Sequence, residues 1–211
     1  MQLGVDEAGK GPVLGSMFAA AVRADPSALP EDVDDSKHLT PARREELATA
    51  IRERADAVAI AEIPVERIDD PETDMNELTV AAHAEALSRL ARDGLSGYAD
   101  AGETNAVRFE RRVSQRLDAT VDLRAEHRAD ATYPIVSAAS IVAKVTRDAH
   151  VADLAAEYGD VGSGYPSDET TRTFLRKYVH KNDSLPACAR ESWQTSRDVL
   201  AELGQSSLSE F

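Results

Sequence analysis

The run Leu3-Gly4-Val5-Asp6-Glu7-Ala8-Gly9-Lys10-Gly11-Pro12 limits the folds open to this chain more than any other stretch. An apolar segment short enough to be one buried strand ends on two adjacent carboxylates. Two glycines and a proline then turn the chain. Acids placed directly after an apolar strand rarely serve solubility. They stand where an open α/β sheet gathers its ligands. The strand, residues 2–6, is followed by a second over 13–23, and the pattern predicts further strands over 57–64, 98–101 and 120–123. Thr40-Pro41 opens a helix with a good N-cap and a good first residue. Residues 76–92 read as an amphipathic helix, with Val80, Ala84, Leu87 and Ala91 at helical steps. Residues 104–117 are helical. Pro134 to Tyr158 reads as a long Ala/Val-rich helix, 159–166 as a glycine-rich loop, and further helices run from Ser167 to His180 and from Glu191 to Leu203. This order predicts an α/β fold: a mixed five-stranded sheet flanked by helices, with a small C-terminal helical region.

Composition bounds the rest. Hydrophobic residues make up 42% of the 211 but aromatics only 5%, so the core must be built from Ala, Val, Leu and Ile. No stretch approaches the ~18 apolar residues of a membrane span, and the N-terminus lacks a signal pattern, so a cytoplasmic protein is expected. The single cysteine, Cys188, excludes an internal disulfide and a multi-Cys zinc site. A net charge of −14 would ordinarily argue against a nucleic-acid partner. Here the acids are dispersed, Arg far exceeds Lys, and Ala and Val abound, as in proteins of extreme halophiles. In molar salt the self-repulsion is screened over roughly 3 Å. Global charge then says little about partners, and local cations matter more.

Four groupings carry chemistry. The first is the acids at strand ends: Asp6 and Glu7 after the first strand, Asp100 in the fourth, and Asp130 just after the fifth. Carboxylates converging there would repel one another unless cations bridged them, and hard divalent ions, Mg²⁺ or Mn²⁺, suit an all-oxygen set. Two ions roughly 3.5–4 Å apart suit in-line displacement at phosphorus. The competing reading for any one of the 38 acids is solvated surface. The second is Gly9-Lys10-Gly11, whose glycines let backbone groups approach a sugar or phosphate; it is not a P-loop, and it is equally readable as a plain turn. The third is the stripe Ser137, Ser140, Lys144 and Arg147 on the long helix, able to track a phosphate backbone or simply to face solvent. The fourth is Gly162-Ser163-Gly164-Tyr165-Pro166, which either presents Tyr165 for stacking or only connects two helices.

Together and in this order these stretches resemble ribonuclease HII of the archaeal type. The matching segments are Gly4 to Pro12, Asp35-Ser36-Lys37, Asp100-Ala101, Arg128-Ala129-Asp130 with Tyr133 to Ile141, and Gly162 to Ser167. The resemblance implies a ribonuclease H-like fold and an endonuclease that hydrolyses RNA in RNA–DNA hybrids and incises at ribonucleotides embedded in duplex DNA. It implies two Mg²⁺ or Mn²⁺ ions held by Asp6, Glu7, Asp100 and Asp130, with Asp6 bridging, and products ending in 3′-OH and 5′-phosphate. Gly9-Lys10-Gly11 corresponds to a family Gly-Arg-Gly that contacts the 2′-OH through its backbone, Tyr165 to a tyrosine packing on the deoxyribose at the junction, and Lys37, Lys144 and Arg147 to phosphate contacts. Lys10 departs from the family's arginine, replacing a planar fork with a point charge. Because neighbouring strand residues point to opposite faces, Glu7 is expected to join Asp6 through its backbone carbonyl or through a bent strand end.

The tail Gln205 to Phe211 resembles the motif that binds the archaeal sliding clamp, proliferating cell nuclear antigen, through Gln205, Leu208 and Phe211. The expected organisation is a catalytic domain over 1–160, a C-terminal helical region over 161–203 completing a substrate cleft, and a flexible tail over 204–211, in a monomer. Rival functions are another ribonuclease H-like nuclease, such as a junction resolvase, and a non-catalytic clamp-binding adaptor. His38, His83, His127, His150 and His180 show no ligand spacing and read as surface or structural residues, and Cys188 and Trp193 as packing residues.

Overall fold

A computed structural model describes residues 1–33 and 39–208, with side chains described except at 203 and 205–208. Lys37 and Phe211 lie outside the described residues, and Gln205 and Leu208 are described as backbone only. The chain forms two compact units: Met1–Ala8, Met17–Glu62 and Met75–Arg147 make the first, and Gly9–Ser16, Ile63–Asp74 and Asp148–Phe211 the second.

The first unit is built on a five-stranded sheet of β1 (Gln2–Ala8), β2 (Met17–Ala24), β3 (Ala57–Ile63), β4 (Ser96–Asp100) and β5 (Asp122–Glu126), in the order β3-β2-β1-β4-β5. β1 is antiparallel to β2 and parallel to β4, and β4 is parallel to β5, so the sheet is mixed as the element order predicts. Its helices are α1 (Pro41–Arg54), α3 (Met75–Ser88), α4 (Ala106–Ser114) and the first part of α5 (Pro134–Tyr158). Thr40 caps α1 as its sequence implies, accepting from Arg43 N at 3.3 Å. The core is aliphatic: Val22, Leu47, Ile51, Ile135 and Val142 are buried around the small side chains of Ala20 and Ala138. Gly4 explains how closely α5 meets the sheet. A Cβ at that position would stand 2.3 Å from the Ile135 carbonyl oxygen, so the first turn of α5 lies directly on the β1 backbone.

The second unit holds α2 (Val65–Ile68), α6 (Glu169–Asn182), α7 (Gln194–Leu208) and the last turns of α5. Val13, Leu14, Leu154, Val161, Phe174, Leu175 and Val179 form its core.

Several boundaries differ from the sequence reading. Residues 13–16 do not extend the second strand, because their backbone bonds elsewhere: Val13 N donates to Gly164 O at 2.8 Å and Gly15 N to Cys188 O at 2.7 Å. That pairing draws Gly9–Ser16 into the second unit, a grouping that a single cut at residue 160 does not capture. Asp168, not Ser167, caps α6. The last helix runs on to Leu208 instead of stopping at Leu203, so residues 204–208 are helical. Among the described residues no helix is long and apolar enough to cross a membrane.

Candidate active site

The pairing of β1 with β4 ends at Val5–Ala99, while β1 stays paired with β2 as far as Ala8. The sheet therefore opens where Asp6, Glu7 and Asp100 stand. Asp6 is buried, and its backbone neighbour Glu7 N donates to Asp6 Oδ1 at 2.8 Å. Burial pushes the Asp6 carboxyl well above the usual range, and the charges of Glu7 and Asp100 add to that. Ser140 Oγ opposes the shift. It is buried without a hydrogen bond of normal geometry, yet it stands close enough to Asp6 to favour the ionised form. Asp100 is half-buried and also raised, by burial first and then by the charges of Asp130 and Glu7. Its Oδ1 accepts from Ala129 N at 3.2 Å. Arg128, in the left-handed conformation at φ 60°, precedes the 3₁₀ turn Ala129–Ala131 that carries buried Asp130. A non-glycine residue held there marks a turn fixed by its surroundings.

Glu7 does not reach the cluster through a broken strand. β1 stays regularly paired through Glu7 to Ala8, and Glu7 Oε2 lies 2.7 Å from His83 Nε2 on α3. Its charge still acts on both Asp6 and Asp100.

Glu103 shows what a structural acid looks like in the same unit. Its side chain is 1% exposed, but Arg108 pairs with it at 2.6 Å and Arg112 pairs with it as well. Asp6 and Asp100 are instead surrounded by other carboxylates, and the raised affinity for protons is what a cation between them would remove. The donor set, carboxylates with one orphaned hydroxyl, fits a hard divalent ion. Among the described residues no three acids or histidines close on a single point.

The second unit carries the other sequence features. Gly9, at φ 90°, begins a turn whose carbonyls are gathered by one buried side chain. Arg190 donates from Nη2 to Gly9 O at 2.6 Å, from Nη1 to Lys10 O at 3.1 Å, and from Nε to Gly15 O at 2.9 Å. The Arg190 guanidinium lies 4.8 Å from the ring centre of Trp193, whose Nε1 donates to Gly11 O at 3.3 Å. Tyr165 is 40% exposed and stands beside this turn: a Cβ on Gly11 would meet its ring at 3.7 Å. The Tyr165 loop is tied to the start of α6, with Gly164 N donating to Thr171 Oγ1 at 2.9 Å and Ser163 N to Asp168. Hydrogen bonds to its carboxylate, led by that from the Ser163 backbone and joined by those from Thr170 and Thr171, hold Asp168 down at about 2. The depressed value means that its contribution to stability is complete above the ordinary pKa of about 3.9 and is lost as pH falls towards about 2. Asp168→Asn is expected to flatten the fall in melting temperature across that acid window; an unchanged profile in acid melts would contradict it.

The predicted stripe on α5 divides. Ser137 is fully buried and donates to Val33 O, so its hydroxyl is engaged inside the protein. Ser140 faces Asp6 from inside the protein and is not part of a solvated stripe. Lys144 and Arg147 remain partly exposed. Cys188 packs, with burial pushing its thiol up to about 12. His83 and Arg190 carry contacts that the sequence reading did not assign. A signal for His83 existed: it falls on the apolar stripe with Val80 and Leu87, at steps of three and four.

Residues 3–196 match the family model described as Ribonuclease HII. The chain belongs to the ribonuclease HII family. A Ribonuclease HII of Haloarcula marismortui is 69% identical over 211 residues, covering 100% of both chains, and that of Halobacterium salinarum is 61% identical, covering 100% of this chain and 99% of the relative. Halophilic archaea are thus the source of similar relatives, in keeping with the composition. The ribonuclease H2 of Pyrococcus horikoshii superposes with a TM-score of 0.90 at 36% identity, covering 96% of this chain and 98% of that one. A structure of the PCNA:RNase HII complex from Archaeoglobus fulgidus gives 0.85 at 36% identity, covering 94% and 96%. The chain is therefore a ribonuclease H of type HII, with the mixed five-stranded sheet that its element order predicted and the ribonuclease H fold that the family resemblance implied.

Proposed function

We propose that this ribonuclease HII cuts RNA strands of RNA–DNA hybrids and incises at single ribonucleotides in duplex DNA, leaving 3′-OH and 5′-phosphate ends. The observation that carries the reading is the coupling of Asp6, Glu7, Asp100 and Asp130 at the open end of β1 and β4. These four would hold two Mg²⁺ or Mn²⁺ ions. Divalent ions so held supply Lewis acidity, lowering the pKa of a water and offsetting charge on the leaving oxygen. Ser140 steadies Asp6 from inside, and the Arg128 turn steadies Asp100.

Recognition of the ribonucleotide is the task of the second unit. In Gly9-Lys10-Gly11 two of three residues offer backbone alone, so the turn suits a small polar group such as the 2′-OH, which distinguishes RNA from DNA. With Gly9 and Lys10 carbonyls gathered by Arg190, the turn keeps its shape whether residue 10 is Lys or Arg. Tyr165 offers its exposed ring to the neighbouring deoxyribose, and Lys144 and Arg147 contact phosphates. The enzyme works as a cytoplasmic monomer and docks on the sliding clamp through Gln205, Leu208 and Phe211, a reading supported by the complex known for the Archaeoglobus relative.

A duplex containing one ribonucleotide, incubated with Mg²⁺ or Mn²⁺ from low to molar salt, is expected to be nicked at the ribonucleotide while an all-deoxy duplex stays intact. An uncut substrate across the whole series would sink the reading. In the same assay, protein lacking residues 205–211 is expected to nick naked duplex equally and to lose binding to the clamp; unchanged clamp affinity would remove the tail's role.

A further inference from the structure

His83 touches the acid cluster and has no part in the chemistry above. It is fully buried on α3, with Nε2 2.7 Å from Glu7 Oε2. With Glu7 read as an ionised metal ligand, its carboxylate accepts and His83 Nε2 donates. Nδ1 is buried without a hydrogen-bond partner, and Phe109 packs against the ring edge to face at 5.0 Å and 83°. An orphaned ring nitrogen is a cost that an apolar residue at this place would avoid. What histidine offers here that a Leu or Phe would not is the bond to Glu7.

We propose that His83 is a positioning residue that holds the Glu7 carboxylate ready for a divalent cation; this rests on the reading of Glu7 as a metal ligand. The physical need is plain. The charges of Glu7, Asp6 and Asp100 act on one another, and a side chain with three rotatable bonds would swing away from that repulsion. A donor on one oxygen restrains it, and a carboxylate with about four lone-pair sites keeps capacity for an ion. Partners that orient ligating groups are worth about 10–100-fold in metal affinity.

The test is Mn²⁺ affinity by calorimetry on the full chain, compared for wild type, Glu7→Gln, His83→Phe and His83→Gln. Glu7→Gln and His83→Phe are expected to bind about 10–100-fold more weakly, and His83→Gln, whose amide can donate to Glu7, to recover most of the loss. Wild-type affinity in His83→Phe beside a weakened Glu7→Gln would overturn the proposal, as would equal losses in His83→Phe and His83→Gln. Full affinity in Glu7→Gln would instead overturn the assignment of Glu7 as a ligand. If His83→Phe does not fold, the wild-type ring decides. Its nitrogen resonances should show the Nε2–H form and move on adding Mg²⁺, and the movement should vanish in Glu7→Gln; a ring indifferent to Mg²⁺ refutes the proposal.

Discussion

Asp6→Asn is expected to cut turnover by about 10³-fold or more, the equivalent of roughly 4 kcal/mol of transition-state stabilisation, without unfolding the protein. The surroundings of Asp6 work against its charge: it is buried, and both Glu7 and Asp100 act on it. Neutral asparagine keeps the shape and removes the repulsion, so the melting temperature without divalent ions should stay level or rise. Adding Mg²⁺ should then stabilise the wild type and leave Asp6→Asn unmoved, because an ion stabilises only the state that binds it. Turnover on the single-ribonucleotide duplex and melts with and without Mg²⁺ check both halves. Retained cleavage would refute the assignment of Asp6.

Gly4→Ala is expected to be the most damaging change of a residue with no chemistry of its own. The new methyl would meet Ile135 O at 2.3 Å, Ile135 C at 2.4 Å and Val136 N at 2.8 Å. All three are backbone atoms, so no rotamer relieves the clash, and β1 and α5 must part. Overpacking of this kind costs about 3 kcal/mol or more, which for a chain of this size lowers the melting point by roughly 6–12 °C. Asp6 lies two residues along β1 and Ser140 five beyond Ile135 on α5, so the acid cluster moves with the elements. Cleavage should fall by about 10²-fold even at temperatures where the protein stays folded. A variant with wild-type melting and turnover would show that the contact is looser than these distances.

Much of this was legible in the sequence because it rests on local patterns. Strand periodicity, the Thr40-Pro41 cap and the Ala/Val run from Pro134 locate the elements, and the acids at strand ends locate the cluster. What was hidden depends on distant partners. Residues 13–16 have the composition of a strand, but their backbone bonds to Gly164 and Cys188 decide otherwise. Ser137 shares a helical stripe with Lys144, yet that stripe dips into the core, where Val33 O receives its hydroxyl. The alternation of Asp6 and Glu7 was readable; that α3 presents a histidine to the second of them was not, since nothing in local spacing links residues 7 and 83.

The grip of Arg190 on Gly9, Lys10 and Gly15 has a consequence for how the protein is made. The turn is synthesised before its clasp: the side chain that gathers its carbonyls comes about 180 positions later. At about 5–20 residues per second, the interval is roughly 10–40 s. Every residue of the first unit has been added by Arg147. On the reading proposed above, the growing chain acquires the means to cut before the means to choose, and a product truncated between residues 147 and 190 would carry the acids without the clasp that shapes the ribonucleotide sensor.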